Sequence, residues 1–315
     1  MANLNYLFGL FNSEIKLNDN KAKNLIKGRD ALRSDIRSWF EDKGKTKPKF
    51  SVQGSFAMKT TINPLPGDEY DLDDGVYLQG YNDYEVDEFP VPSTVHNWIK
   101  DATDDRTKKE SIDKNTCVRV NYADDYHIDL PIYIIRDEVP YLAHKAFGWT
   151  PSDPKEFTDW FLDNISEHGE QLRRIVRYLK AWKDYKNVDI ESIEITILAC
   201  ENFEGFENRD DKAIYATVSQ IIDTLEKGFI CEKPSLPYND LFEDVSDSKK
   251  NNIISRLKTL RQKLNNAIIE SDEEKAAEIM REVFGSRFPK GSNSKSSSFQ
   301  RTSAPGVLKH DGRSG

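Results

Sequence analysis

One stretch limits the possible folds of this chain more than any other. From Asp68 to Asp74 the sequence reads Asp-Glu-Tyr-Asp-Leu-Asp-Asp, five carboxylates in seven residues, and runs on through Gly75-Val-Tyr-Leu78. Carboxylates this crowded repel one another, so the segment is tolerated only where solvent screens it or a cation neutralises it. From Tyr70 to Leu78 it alternates as a β-strand. Period two puts Asp71, Asp73, Gly75 and Tyr77 on one face and Leu72, Asp74, Val76 and Leu78 on the other. Asp71 and Asp73 then point the same way, about 7 Å apart along the strand. The apolar opposite face belongs in a sheet rather than a loop. Asp74 points away from the pair, as a capping or solvent-facing residue. Asp68 and Glu69 precede the strand as exposed turn acids, and Tyr77 is a packed strand aromatic.

A second strand is written in Tyr126-His-Ile-Asp-Leu-Pro-Ile-Tyr-Ile-Ile135. Ile128, Leu130, Ile132 and Ile134 share one face; His127, Asp129, Pro131 and Tyr133 share the other. Asp129 is a lone acid in an apolar strand, and a buried carboxylate without a partner is costly. If the two strands are neighbours, Asp129 completes a three-carboxylate site suited to Mg²⁺, which takes oxygen ligands and keeps positions open for phosphate. Two such ions about 3.5–4 Å apart activate a hydroxyl and stabilise a leaving pyrophosphate. A merely solvated acidic strand needs no such placement. His127 reads as a structural histidine, with a hydrogen bond to Asp129 as its other option. A third piece is Gln53-Gly54-Ser55: glycine permits close backbone approach, and a serine hydroxyl with nearby N–H groups holds phosphate. Alone, a Gly-Ser pair is a common turn.

Around these pieces the chain divides. Leu25, Ile26, Leu32, Ile36, Trp39 and Phe40 predict a helix over 20–41, ended by Gly44 and Lys47-Pro48. Residues 117–122 and 126–135 predict strands joined at 123–125 as a hairpin. After Trp149 helical periods predominate, over 155–166, 169–185, 191–203, 212–228 and 248–269. Ser271-Asp-Glu-Glu274 predicts a capping box that opens a helix stopping at Gly285. Strands followed by runs of helices indicate an α+β fold. We expect an N-terminal helix and mixed-sheet core over 1–150, a helical domain over 151–290 and a disordered Ser/Gly-rich tail over 291–315. Arg173, Arg177 and Lys180 form a cationic stripe at i, i+4 and i+7, which reads as a phosphate-binding face or a solvated basic face.

Composition limits the partners. The formal charge is −9, and the last 25 residues carry four basic side chains against one acidic, which leaves −12 for residues 1–290. A protein that coats long nucleic acid carries a basic excess, so none is expected here. No apolar run approaches the length of a membrane span. Cys117, Cys200 and Cys231 form no CxxC pair, so a structural zinc module is not expected. Sparse free thiols and no secretory signal predict a cytoplasmic protein.

Together, Gly54-Ser55, Asp71-Leu-Asp73 and Asp129 in a hydrophobic strand resemble the polymerase-β-like nucleotidyltransferase superfamily. The longer strings are Gln53-Gly-Ser55, Tyr70-Asp-Leu-Asp-Asp-Gly-Val-Tyr77, His127-Ile-Asp-Leu-Pro131, Tyr178-Leu-Lys-Ala-Trp182 and Phe284-Gly-Ser-Arg-Phe-Pro289. They are similar to those of the bacterial cyclic-oligonucleotide synthases, the cGAS/DncV-like nucleotidyltransferases (CD-NTases) of CBASS anti-phage systems, above all the branch making 3′,3′-cyclic GMP-AMP. The resemblance implies a bilobed protein, a polymerase-β-like core plus a C-terminal helical domain. It implies template-independent joining of ATP, GTP or other nucleoside triphosphates into a cyclic dinucleotide or oligonucleotide, with release of pyrophosphate. Two Mg²⁺ ions, or Mn²⁺ in their place, would be the cofactors. Asp71 and Asp73 would hold both, and Asp129 would hold the catalytic one and help activate the attacking 3′-hydroxyl. Gln53, Gly54 and Ser55 would meet the donor triphosphate, Lys180 its β/γ-phosphates, and Ser192 would join that phosphate site. The zinc insertion and basic face of the vertebrate DNA sensor are missing. The tail suggests a further partner, a ubiquitin-transfer-like enzyme that conjugates the chain through Gly315, against an ordinary flexible end. The rival readings are a nucleotidyltransferase acting on a protein or RNA end, and a catalytically dead interaction protein.

Overall fold

The acidic strand is realised as expected. In the computed structural model, which describes residues 2–291, seven strands form one mixed sheet: β1 (Lys49–Gln53), β2 (Tyr70–Leu78), β3 (Ile112–Asp113), β4 (Cys117–Asn121), β5 (Tyr126–Arg136), β6 (Val139–His144) and β7 (Gly148–Pro151). Gly315 and the reading of the tail as disordered fall outside the described residues, Gly291 apart. The order is β1-β2-β5-β4-β3, with β6 on β5 and β7 on β6. β2 and β5 run parallel, in a register that sets Asp71 opposite His127 and Asp73 opposite Asp129. Every other sheet pairing is antiparallel, and β4–β5 is the expected hairpin.

A parallel pair needs a crossover, and residues 79–125 supply it through α4 (Pro92–Thr103), β3 and β4. The apolar sheet face, with Leu72, Val76, Ile128 and Ile132, packs with Leu25, Leu32 and Ile36 of α2 (Asp19–Asp42) and with Val95 and Ile99 of α4. Asp74 lies on this face and is fully buried. It neither caps nor faces solvent, because Arg33 of α2 donates to both its oxygens from Nε and Nη2 at 2.7 and 2.5 Å. A buried carboxylate needs such a partner.

The remaining helices are α1 (Asn5–Ile15), α3 (Gly54–Ala57), α5 (Pro154–His168), α6 (Glu170–Lys186), α7 (Ser192–Glu201), α8 (Asp210–Lys227), α9 (Asp247–Ile269) and α10 (Glu273–Phe284). α5 to α10 build a second core, separate from the one beneath the sheet. α1 belongs to this core although it precedes the sheet. Its Phe8 lies 5.1 Å from the rings of Tyr178 and Phe288 and 6.0 Å from Phe284. α10 is capped by Asp272, whose side chain accepts from Glu274 and Lys275 N at 2.9 and 3.3 Å, and not by the Ser271 capping box that the sequence suggests. No helix among the described residues is long and apolar enough to cross a membrane.

Candidate active site

A cavity of about 540 Å³ opens between the acidic face of the sheet and the helical half. Ligand sites of small molecules fall in this size range. Asp71 and Asp73 of β2 line one side, and Lys180 of α6 and Ser192 of α7 line another. The connection between β1 and β2 adds Gly54, Ser55, Thr60 and Thr61.

Asp73 is the most perturbed acid. Burial, then the charges of Asp71 and Asp129, push its carboxyl up to about 7 against the opposing pull of Arg119 and Lys114. Gly54 makes room for it: with φ +62°, a Cβ there would sit 2.4 Å from Asp73 Oδ2. Asp129 stands beside Asp73, but both its oxygens accept from Arg119, from Nε and Nη2 at 2.7 Å each, and Lys114 Nζ lies 3.9 Å away. The β4–β5 register places Arg119 directly opposite it. Asp129 does not line the cavity.

The three-carboxylate cage expected from the sequence is therefore not assembled, because Arg119 occupies the third acid. Among the described residues no three His, Cys, Asp or Glu side chains are arranged to hold a metal ion. The donor set still suits a hard divalent cation. Asp71 and Asp73 offer oxygen ligands on one wall, and such a cation would offset the burial and the neighbouring charges that raise Asp73.

His127 does not bond Asp129. Its Nδ1 lies 2.8 Å from Glu69 Oε2, so Glu69 is more than a free turn acid. Its Nε2 is buried without a hydrogen-bond partner, 4.0 Å from Asp71 Oδ2.

On the phosphate side, Ser55 Oγ lies 2.8 Å from Thr61 Oγ1, and Lys180 Nζ donates to Thr60 Oγ1 at 3.2 Å. Burial lowers Lys180 to about 8, opposed by the charges of Asp71 and Asp184. Gln53 lines the cavity beside Gly54 and Ser55 and is also bonded within the sheet. Its Nε2 donates to Tyr77 OH at 3.2 Å, and its Oε1 accepts from Tyr133 OH at 3.3 Å. The amide is committed to two rings stacked 4.9 Å apart, so it braces β1 against β2 and β5. Tyr77 is thus a packed strand aromatic, as expected. Arg173 and Arg177 are neither solvated nor on the cavity wall. They are buried and donate to backbone carbonyls of Met58 and Lys59. Only Lys180 of the cationic stripe reaches the cavity. Sequence reasoning missed Thr60, Thr61 and Lys233. The Thr-Thr pair after Gly54-Ser55 was the available signal. Lys233, lowered by burial, donates to Leu236 O at 2.6 Å from a loop with no motif.

Two family models match the chain. Residues 48–133 match "Cyclic GMP-AMP synthase DncV-like, nucleotidyltransferase domain", and residues 169–297 match "Cyclic GMP-AMP synthase, C-terminal domain". A cyclic GMP-AMP synthase of Escherichia coli (strain TW11681) is 26% identical over 292 residues, covering 76% of this chain and 68% of that protein. The cyclic GMP-AMP synthase of Vibrio cholerae serotype O1 is 26% identical over 194 residues, covering 44% of this chain and 42% of its own length. The match thus spans about two thirds of the first and under half of the second. A crystal structure of Vibrio cholerae DncV cyclic AMP-GMP synthase in complex with the linear intermediate 5′ pppA(3′,5′)pG superposes with a TM-score of 0.75 at 21% identity, covering 88% of this chain and 93% of that one. The likeness shows that the two share a fold.

Proposed function

Because this chain belongs to the cyclic GMP-AMP synthase DncV-like nucleotidyltransferases, we propose that it joins ATP and GTP, or other nucleoside triphosphates, into a cyclic dinucleotide or oligonucleotide and releases pyrophosphate. One observation carries the proposal: a single cavity sets Asp71 and Asp73 across from Ser55, Thr60 and Lys180. Acids on one wall with hydroxyls and a cation on another suit a triphosphate bound with its counter-ions. The cyclic GMP-AMP synthases above carry that activity in their names, and the DncV complex holds a linear two-nucleotide intermediate.

Asp71 and Asp73 would hold Mg²⁺ or Mn²⁺, and Asp129 would join them on leaving Arg119. Such ions supply activation of the attacking hydroxyl and charge stabilisation of the leaving pyrophosphate. The remaining work falls to the chain. Ser55, Thr60 and Thr61 offer hydroxyl donors to phosphate oxygens. Lys180, buried beside them, places a positive charge where a phosphate stabilises its protonated form. Ser192 extends that wall. The resemblance also supports a role in anti-phage signalling and conjugation through Gly315 as parts of this proposal.

The test is to incubate the protein with four nucleoside triphosphates and Mg²⁺, treat with phosphatase, and identify the survivors by mass spectrometry. A phosphatase-resistant cyclic product is expected from the wild type and none from the double variant D71N/D73N. Label transferred to a protein or RNA end, or full activity of the double variant, would overturn the proposal.

A further inference from the structure

Three side chains of α6 reach three successive residues of the β1–β2 connection. Arg173 Nε donates to Met58 O at 3.1 Å. Arg177 Nε and Nη2 donate to Lys59 O at 3.1 and 2.6 Å. Lys180 Nζ donates to Thr60 Oγ1 at 3.2 Å. The i, i+4, i+7 spacing stacks the three on one helix face, so the connection runs along α6 in register, one residue per turn of helix. All three side chains are buried.

Further contacts fix both sides of this register. Lys59 has φ +58°, the left-handed region that L side chains avoid. Its side chain is exposed; the residue closes α3 as a left-handed C-cap, with Lys59 N donating to Phe56 O at 3.1 Å and Thr60 N to Ser55 O at 2.8 Å, and the two Arg177 bonds hold its carbonyl on α6. Arg177 has only neutral hydrogen-bond partners, Lys59 O and Asn12 Oδ1. Arg173 is ion-paired with Glu170, whose charge also acts on Arg177, so the two arginines carry one shared counter-charge while their other bonds go to the connection and to Asn12. At the far end of the connection, Arg287 ties Asn63 O to Ala181 O of α6, with bonds of 3.0 and 3.2 Å.

We infer that Arg173 and Arg177 are positioning residues: they fix the register between α6 and the β1–β2 connection that sets Lys180 beside Thr60 and Ser55 on the phosphate side of the cavity. Neither arginine touches the nucleotide. They act through the groups that do, and the inference rests on the nucleotide chemistry proposed above.

The experiment measures binding of a non-hydrolysable ATP or GTP analogue with Mg²⁺ by calorimetry, alongside the thermal midpoint, for wild type, R177M, R177K, K180M and K180M/R177M. R177M is expected to bind about tenfold more weakly with its midpoint within about 4 °C of wild type, and R177K to fall between the two. In the K180M background, R177M should add little further loss, because both changes act on one unit. Should R177M fail to fold, R177K carries the test, with binding at least about threefold weaker. Wild-type affinity in R177M, or in R177K where R177M does not fold, overturns the inference, as does full additivity in the double variant. A wild type that neither binds the analogue nor makes a cyclic product overturns the proposed function and the inference with it.

Discussion

Gly54 shows how finely the site is set at the scale of single residues. Any side chain there meets Asp73 at 2.4 Å in a backbone already at φ +62°. G54A should therefore shift the Asp73 carboxylate, and about a hundredfold loss of product formation follows from a displacement near 1 Å. The strain should cost about 1–2 kcal/mol of stability. Product yield by mass spectrometry and a denaturant titration check the two halves; unchanged yield would show that Asp73 need not stand where it does. Asp71 and Asp73 were legible because strand alternation alone decides where they point. The Arg119–Asp129 pair was not, since it depends on the register of β4 against β5. The two arginines of α6 were misread for the same reason: loop carbonyls far away in sequence claim them.

Among the elements, α6 and α8 meet at Asp210. Its carboxylate accepts from Arg174 Nε and Nη2 at 2.6 and 2.8 Å and from Gln171 Nε2 at 2.9 Å, with Tyr178 OH also 2.9 Å away. Burial pushes the acid up, but the bonds from Arg174 and Gln171 and the Arg174 charge outweigh it and hold it below the usual carboxylate range. The sign follows. With a folded value below the unfolded one, near 3.9, this contribution is complete above that pH and is lost as pH falls through the folded value. Acid titration of the thermal midpoint should show a fall below about pH 4 that is shallower in D210N. An identical fall in D210N would place the acid sensitivity elsewhere. D210A, which strands Arg174, should lose about 3 kcal/mol. Most helices on this side were legible from their 3.6-residue periods. α1 was not, because Leu7-Phe-Gly-Leu-Phe11 is an apolar block rather than a stripe, and its partners lie on α6, at the end of α10 and just beyond it.

For the whole molecule, two cores flank the cavity, whose walls come from β2, the β1–β2 connection, α6 and α7; the sequence motifs named residues on each wall, and long-range packing decides how the walls meet. What was legible was the class of fold, α+β, since the order of strands and helices is local information. The helical core closes only when α1 joins it. F8A should cost about 3–5 kcal/mol, because Phe8 is fully buried among Tyr178, Phe284 and Phe288. Chemical denaturation checks the figure, and a cost below about 1 kcal/mol would mean that α1 is dispensable to that core. The same contact orders events in time. Phe8 leaves the ribosome long before Phe284 and Phe288 are made. At about 5–20 residues per second, the interval is of the order of tens of seconds. During it the sheet and its covering helices can pack, while the apolar block of α1 waits for the rings of α10 and beyond that complete its site on α6. The newborn chain thus carries an exposed Leu-Phe-Gly-Leu-Phe segment through most of its synthesis, the kind of segment that chaperones hold.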